Sequence, residues 1–191
     1  WILSDEIEQR DLDKILGKLS GIVIPGGFGP RGIDGMVKCA NYARTKNIPY
    51  LGLCLGMQIM VIEFSRNVLN FDDANSSEFD QISNNLVKDF LPGQIKLKET
   101  GASMRLGNYP CLIKKDSKVF NYYQKDEITE RHRHRYEVNN IYIERLEKEG
   151  LVPIGTSPDG NLVEIMEVAN HPFMIGSQFH PEFLSRPDRP H

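Results

Sequence analysis

The sequence predicts an α/β fold with three layers: a mostly parallel central sheet flanked by helices, with a small antiparallel extension. Two observations predict this class. In the first third of the chain, helix-spaced apolar residues alternate with short continuous apolar runs, which is the order expected of crossover units in a parallel sheet. Three further apolar runs near the end of the chain can add strands to the same sheet.

The individual elements follow from the period of the apolar residues. Helices are predicted where apolar residues recur every three or four positions, at 12–19, 33–43, 56–66 and 141–149. Strands are predicted at short apolar or alternating runs, at 21–24, 48–53, 94–98, 111–113, 136–138, 151–155, 162–168 and 173–179. The segment 67–107 is otherwise polar and irregular. No repeat or second core is visible, so residues 1–191 are predicted to form a single domain.

Composition narrows the classes of partner. The formal net charge is -3, whereas nucleic-acid-binding domains usually carry a basic excess, so no nucleic-acid partner is expected. No apolar run approaches the roughly 20 residues that cross a bilayer, so no membrane association is expected either. Three widely spaced cysteines without a C-x-x-C pair predict neither a disulfide framework nor a zinc knuckle, and favour a cytoplasmic location.

The ends of the chain predict that it is part of a longer protein. It starts at Trp1 without a methionine or a signal sequence, and it stops in the polar stretch SRPDRPH. We therefore expect a domain truncated at both ends.

The strand predicted at 48–53 runs into Gly52-Leu53-Cys54-Leu55-Gly56, a Gly-x-nucleophile-x-Gly pattern. In hydrolases this pattern makes a tight strand-to-helix turn that lifts the nucleophile above the sheet, and its glycines allow the strand and helix to approach closely. The start of the helix favours a thiolate. Cys54 is the candidate nucleophile, against the alternative of a small buried apolar residue. Cys39 and Cys111 are predicted to be structural.

A thiol nucleophile needs a proton carrier and a site for the oxyanion. His180 is the candidate carrier because the strand at 173–179 delivers it to the sheet edge where ligands collect. Glu182 can accept its imidazole N–H, which completes a Cys-His-Glu triad. The alternative is a surface histidine before a turn.

The glycine-rich loop PGGFG at 25–29 is the candidate oxyanion site, because its backbone N–H groups are not obstructed by side chains. The N–H of Leu55 is a natural second donor. A phosphate cradle is the alternative, but neither G-x-x-x-x-G-K-[ST] nor G-x-G-x-x-G is present.

The run ERHRHRYE at 130–137 allows three interpretations: a metal site, an anion site or a solvated charged face. Two histidines without a third ligand in the pattern argue against metal. If the run is extended, alternation places its arginines on one face and its histidines on the other. One of those arginines can then bind a carboxylate.

These residues together give a family resemblance. PGG at 25–27, G-x-C-x-G-x-Q at 52–58 and HPE at 180–182 resemble the class I glutamine amidotransferases. The blocks PGGFGPRGIDGM, ANSSEF, ERHRHRYEVNN and QFHPEF are similar to those of the glutaminase domains of CTP synthases. The resemblance covers nearly the whole chain and implies the flavodoxin-like sheet of that family.

The resemblance also implies roles for individual residues. Cys54 would attack the side-chain amide of L-glutamine, His180 would move protons and Glu182 would orient His180. Gly27 and Leu55 would donate N–H groups to the oxyanion. Gln58, Glu78 and Arg135 would hold the substrate, with Glu78 at the α-ammonium and Arg135 at the α-carboxylate. No metal or cofactor is implied for this domain.

For the whole enzyme the resemblance implies a ligase of pyrimidine nucleotide biosynthesis. An N-terminal synthetase domain of the same polypeptide would use ATP, Mg²⁺ and ammonia to convert UTP into CTP. GTP would activate the glutaminase allosterically, and the enzyme would be a homotetramer. The isolated glutaminase domain is expected to be weakly active.

Three departures from the family pattern accompany the resemblance. The strand that usually opens the domain is missing before Trp1, the segment 91–100 is short, and Gly-Ala-Ser-Met at 101–104 replaces Gly-Gly-Thr-Met. None of them touches the proposed triad. Two other functions are compatible with parts of the pattern: a γ-glutamyl peptidase on the same elbow, and a non-catalytic regulatory or filament-forming module.

Overall fold

The computed structural model describes residues 1–7, 10–90 and 104–191. Its helices are α1 (Ser4–Ile7), α2 (Leu12–Leu16), α3 (Ile33–Lys46), α4 (Leu55–Asn67), α5 (Lys118–Tyr123) and α6 (Ile143–Lys148). Its strands are β1 (Ile22–Ile24), β2 (Tyr50–Leu53), β3 (Asn75–Ser76), β4 (Leu86–Phe90), β5 (Arg105–Ile113), β6 (Glu127–His134), β7 (Tyr136–Val138), β8 (Leu151–Thr156), β9 (Val163–Val168) and β10 (Met174–Ser177).

Seven strands form the main sheet in the order β1-β2-β10-β9-β8-β5-β6. Strands β1, β2 and β10 are parallel, whereas β10-β9, β9-β8, β8-β5 and β5-β6 pair in the antiparallel sense. The predicted α/β class with helices around a central sheet is confirmed. The sheet is mixed, however, and its antiparallel part is larger than the small extension predicted. The difference arises because β10, β9, β8 and β5 pair successively in the antiparallel sense. Strands β5 and β6 enlarge this part further, since they are longer and more polar than the buried strands that an apolar pattern detects.

A smaller sheet of β3, β4 and β7 packs beside the main one. Strand β4 pairs with β3 in the parallel sense and with β7 in the antiparallel sense. It lies within the stretch that the sequence analysis treated as irregular, because its five residues LVKDF neither alternate cleanly nor form an apolar run. This sheet supplies one wall of the region around Cys54.

Helix α4 is the central helix of the core. Its residues from Leu55 to Ser65 are all buried, so it is packed on every side over most of its length. Helix α3 lies against it and ends at Asn47, which adopts the left-handed conformation that closes many helices. The burial of α4 fixes the position of its first residue and therefore of the elbow before it.

The predicted elements are present with shifted boundaries. The helix predicted at 12–19 ends at Leu16, and the one predicted at 141–149 starts as a 3-10 turn before α6. Helices α1 and α5 were not predicted. The strand predicted at 94–98 lies outside the described residues. Within the described ranges, none of the helices has the length and apolar character needed to span a membrane.

Candidate active site

Cys54 lies between β2 and α4 in a strained backbone conformation. Its φ is 52° and its ψ is -98°, outside the regions that a non-glycine residue prefers. The flanking backbone is fixed on both sides, since the Cys54 N–H donates to Ser177 O at 2.7 Å and the Cys54 carbonyl accepts from the Gln58 N–H at 3.2 Å. Such strain persists where the surrounding structure imposes it, and it is common at functional residues.

Glycines on either side of Cys54 make this turn possible. A Cβ atom on Gly52 would lie 2.5 Å from the Gly56 carbonyl carbon, and one on Gly56 would lie 2.1 Å from Ile24 O. Both obstacles are backbone atoms, which cannot move aside as a flexible side chain can. The close approach of strand and helix that the sequence pattern predicted is therefore present.

The Cys54 thiol is buried, and this burial raises its pKa to about 12. The charge of Lys88 and the Leu55 N–H act in the opposite direction and favour the thiolate, but burial outweighs them. The start of the helix therefore favours the thiolate as predicted, but less strongly than burial disfavours it. The nucleophile rests as a neutral thiol, and its attack needs a base to remove the proton.

His180 and Glu182 form the expected pair. The His180 Nδ1 lies 2.7 Å from Glu182 Oε1, which leaves Nε2 as the free ring nitrogen. The imidazole also stacks on Phe183, with ring centroids 4.4 Å apart and an interplanar angle of 4°. The carboxylate and the stacked ring fix the orientation and the tautomer of His180.

The sheet brings His180 to the neighbourhood of Cys54. Strands β2 and β10 are parallel neighbours, with Leu53 opposite Ser177, so both residues follow strands that end at the same edge. Strand β6 crosses this edge, where Arg131 O accepts from the His180 N–H at 2.8 Å and Arg133 O lies 3.9 Å from the Cys54 sulfur.

The glycine-rich loop after β1 lies against both His180 and Leu55, the first residue of α4. A Cβ on Gly26 would lie 2.5 Å from His180 Cε1, and a Cβ on Gly27 would lie 3.0 Å from Leu55 Cδ2. The loop therefore passes between the imidazole and the start of α4. That place suits the predicted oxyanion donors, Gly27 and Leu55, whose roles stay predictions.

The three residues predicted to hold the substrate differ in exposure. Gln58 is buried, and its Oε1 has no hydrogen-bond partner among the described residues. Glu78 is half-buried and accepts the Gly29 N–H at 2.8 Å; burial raises its pKa, while that N–H and nearby cations lower it. Arg135 is exposed. Glu78 thus contacts the glycine-rich loop after β1, which the sequence did not indicate.

Strand β6 carries the alternation that the ERHRHRYE run predicted. Arg131 and Arg133 are exposed, and His132 and His134 are buried on the other face. Burial lowers the pKa of His132 to about 3, helped by the charges of Arg105 and His180. The two imidazoles are joined by a 2.8 Å contact between His132 Nδ1 and His134 Nε2.

His132, His134 and Glu164 present possible metal-ligand atoms within 4.8 Å of one another. The chemistry around them suits a hydrogen-bonded charge network better than a cation site. Arg105 already contacts Glu164 Oε1 at 2.9 Å and Glu137 Oε1 at 3.2 Å, so a guanidinium occupies the place beside these carboxylates. The absence of a metal centre stays a prediction.

Sequence reasoning missed two residues next to the nucleophile. The amide nitrogen of Gln178 lies 3.8 Å from the Cys54 sulfur, and its amide oxygen accepts from Lys88 Nζ at 2.8 Å. Gln178 stands two residues before His180, but a lone glutamine in a strand carries no signal of function. Lys88 was missed for a different reason: lysine is rarely buried, so its sequence position predicts an exposed side chain.

A cavity of about 1140 Å³ lies beside β10. Its lining includes Leu51, Ile175, Phe179 and Glu182, but neither Cys54 nor His180. This cavity therefore adjoins the candidate pair at Glu182, whereas the Cys54 side chain does not line it.

The fold and the geometry at Cys54 define a cysteine hydrolase-type site on an α/β sheet, with an imidazole-carboxylate pair at the neighbouring strand end. A family model described as "Glutamine amidotransferase class-I" matches residues 3–191. The chain belongs to the class-I glutamine amidotransferase family and, within it, to the glutaminase domains of CTP synthases.

Individual relatives agree with this assignment. CTP synthases of Dehalococcoides mccartyi and Nostoc punctiforme are 56% and 52% identical to the chain over its whole length. The chain spans 35% of the length of each. The solved glutaminase domain of Trypanosoma brucei CTPS, with bound acivicin, matches with a TM-score of 0.92 and 42% identity, covering all of this chain and 75% of that one.

Proposed function

We propose that the chain hydrolyses L-glutamine to glutamate and ammonia through a glutamyl thioester on Cys54. The observation that carries this proposal is the strained cysteine at the end of β2, beside a strand that ends in the hydrogen-bonded His180–Glu182 pair. Membership of the glutamine amidotransferase family supports glutamine as the substrate.

The protonation states in the site suggest the order of events. Because the resting thiol is neutral, His180 accepts its proton as the sulfur attacks the side-chain carbonyl carbon. The N–H groups of Gly27 and Leu55 stabilise the oxyanion, and His180 returns the proton to the departing ammonia. Water then attacks the thioester carbonyl, the C–S bond breaks, and glutamate leaves with Cys54 again a thiol.

Three side chains are proposed to hold the substrate. Arg135 pairs with the α-carboxylate, and Glu78 accepts from the α-ammonium. Gln58 offers a buried amide oxygen that still lacks a hydrogen-bond partner, which suits a donor group of the substrate. Glu78 also accepts from Gly29, so we propose that substrate binding stabilises the oxyanion loop.

We propose that the chain is one glutaminase domain of a longer CTP synthase, as the 35% coverage of its relatives supports. An N-terminal synthetase domain would use ATP and Mg²⁺ to aminate UTP with the ammonia, and GTP would activate the glutaminase. We place this enzyme in the cytoplasm as a homotetramer. The chain itself is proposed to need no cofactor.

Glutamate release by the full-length protein tests the proposed reaction. Replacing Cys54 with alanine is expected to lower kcat at least about 10³-fold, since the nucleophile is lost. Cys39, a buried cysteine on α3, provides the matched control, and Cys39→Ala is expected to keep kcat within about threefold. Equal glutamine turnover by Cys54→Ala and wild type would disprove the proposal.

A further inference from the structure

Lys88 is a fully buried lysine in the immediate surroundings of the nucleophile. It lies on β4 and has no exposed surface. Its ammonium donates to Gln178 Oε1 at 2.8 Å, and Gln178 is itself fully buried. A buried ammonium is costly unless it is paired, so its presence here calls for a physical reason.

The chemistry of lysine determines how the Gln178 amide is oriented. An ammonium has three donors and no acceptor, so the amide oxygen must face Lys88. The amide nitrogen then faces the other way, towards the Cys54 sulfur at 3.8 Å. Lys88 thus ensures that the sulfur meets a hydrogen-bond donor instead of a carbonyl oxygen.

The surrounding charges keep Lys88 protonated near neutral pH. Burial lowers its pKa to about 8, while Glu137, Glu164 and Glu78 act to raise it. Glu137 and Glu164 contact Arg105, and burial raises the pKa of Glu137 to about 7, so this carboxyl group is partly ionised at neutral pH. Lys88 can therefore keep a positive charge two hydrogen-bond steps from the Cys54 sulfur.

We propose that Lys88 is a positioning residue that, through Gln178, holds a hydrogen-bond donor against the Cys54 sulfur and stabilises its thiolate. The inference rests on the proposed function, since it assigns a role within the same site. Gln178 is then the group that touches the reacting atom, and Lys88 acts through it.

The donor is needed twice in the proposed reaction. The sulfur gains negative charge as His180 removes its proton, and again when the C–S bond of the thioester breaks and the electron pair returns to sulfur. A preoriented N–H group stabilises both states without having to reorganise. In this buried site, loss of the Gln178 donor would leave the Leu55 N–H and the charge of Lys88 to oppose the cost of desolvating the thiolate.

The ionisation of Cys54 in the full-length protein tests this role directly. The rate of Cys54 alkylation by iodoacetamide at a fixed pH of about 8, followed by peptide mass spectrometry, reports the thiolate fraction without glutamine. Because the thiol pKa lies above this pH, a rise of one unit in the midpoint is measured as a tenfold slower alkylation. The test is therefore independent of whether glutamine is the substrate. For Lys88→Met, of similar length but uncharged, we expect the midpoint to rise by at least one pH unit. We also expect kcat to fall at least tenfold, with KM for glutamine unchanged within twofold.

Gln178→Glu separates the donor from the lysine. A carboxylate at this position keeps the shape and the contact with Lys88, but it presents an oxygen to the sulfur. We expect the same rise in the alkylation midpoint, and this variant decides the question if Lys88→Met does not fold.

A matched lysine elsewhere controls for general loss of stability. Lys118 contacts Glu167 at 2.8 Å and two backbone carbonyls, far along the chain from the elbow. Lys118→Met is expected to lower the melting temperature but to leave the Cys54 midpoint unchanged. A wild-type midpoint in folded Lys88→Met or in Gln178→Glu, or a midpoint that moves equally in Lys118→Met, would overturn the proposal.

Discussion

At the scale of single residues, the site depends on glycines, because a Cβ atom at their positions would overlap with neighbouring atoms. Gly52 and Gly56 leave room for the strained backbone of Cys54, and Gly26 leaves room for the His180 ring. A methyl group at any of these positions would meet a neighbour at 2.5 Å or less. The three glycines thus keep Cys54, His180 and the loop after β1 close together.

Substituting Gly56 with alanine is expected to destabilise the fold. The added Cβ would lie 2.1 Å from Ile24 O, and neither backbone can move without shifting the core, so we expect a loss of about 3 kcal/mol or more. Urea unfolding measures this change. Gly21→Ala is the control, because its Cβ would lie 3.4 Å from Pro49 O; we expect a change below about 1 kcal/mol. Equal effects of the two substitutions would contradict the steric argument.

Removing the charge of Glu182 is expected to slow the reaction without unfolding the protein. In Glu182→Gln the side chain can still accept from His180, but it no longer stabilises an imidazolium. We expect kcat for glutamine hydrolysis to fall by about tenfold or more with KM within twofold. Because this side chain is 44% exposed, the melting temperature should change little. Wild-type kcat in this variant would argue against the predicted triad.

At the scale of elements, the loop after β1 links the base to the oxyanion site. Gly26→Ala would place a methyl group 2.5 Å from His180 Cε1, so the ring or the loop must shift. Because the shift disturbs His180, we expect kcat to fall at least tenfold. Because the loop lies at the surface, we expect the melting temperature to change by only a few degrees. Steady-state kinetics and thermal unfolding measure the two effects. Unchanged kcat would show that the loop and the histidine move independently.

The buried His132 on β6 is expected to make the free energy of unfolding depend on pH. The pKa of folded His132 is lowered from 6.5 to about 3 by burial, so between these values the unfolded chain binds a proton that the folded protein does not. The free energy of unfolding therefore falls as the pH decreases through this window, by up to about 1.4 kcal/mol per pH unit.

His132→Gln removes this titration. Urea unfolding of both proteins at pH 7 and pH 5 is expected to show that the wild type loses more stability than the variant over this range. His134 is also buried with a lowered pKa, and His132 contributes to that lowering, so the difference between the two proteins reports the coupled pair of imidazoles. Parallel losses in the two proteins would mean that His132 titrates as it does in the unfolded chain.

At the scale of the whole molecule, the sheet joins segments that are far apart in sequence. Strand β6 is the last strand of the sheet, yet it contacts both Cys54 and His180 near the parallel end. Strand β4 of the second sheet brings Lys88 to Gln178, 90 positions away. The chemistry at Cys54 is therefore set by four separate stretches of chain.

The sequence predicted the structural features that depend on residues close together along the chain. The elbow, the helix after it and the alternation of β6 follow from local periods of apolar, glycine and charged residues. The extent of β5 and β6 and the short strand β4 were missed, because their pairing depends on distant partners. The burial of Lys88 and the low pKa of His132 could not be predicted, since both result from contacts between separate elements. The start of the helix favours the Cys54 thiolate as predicted, but the burial that raises the thiol pKa results from distant contacts and could not be predicted.

Covalent labelling of the nucleophile tests the central claim most directly. We predict that a diazoketone analogue of glutamine adds once to the protein, that peptide mapping places the adduct on Cys54, and that L-glutamine protects against it. Cys54→Ala should remain unlabelled, whereas Cys39→Ala should label as the wild type does. An adduct elsewhere, or no adduct while a control glutamine amidotransferase is labelled, would contradict the assignment of Cys54 as the nucleophile.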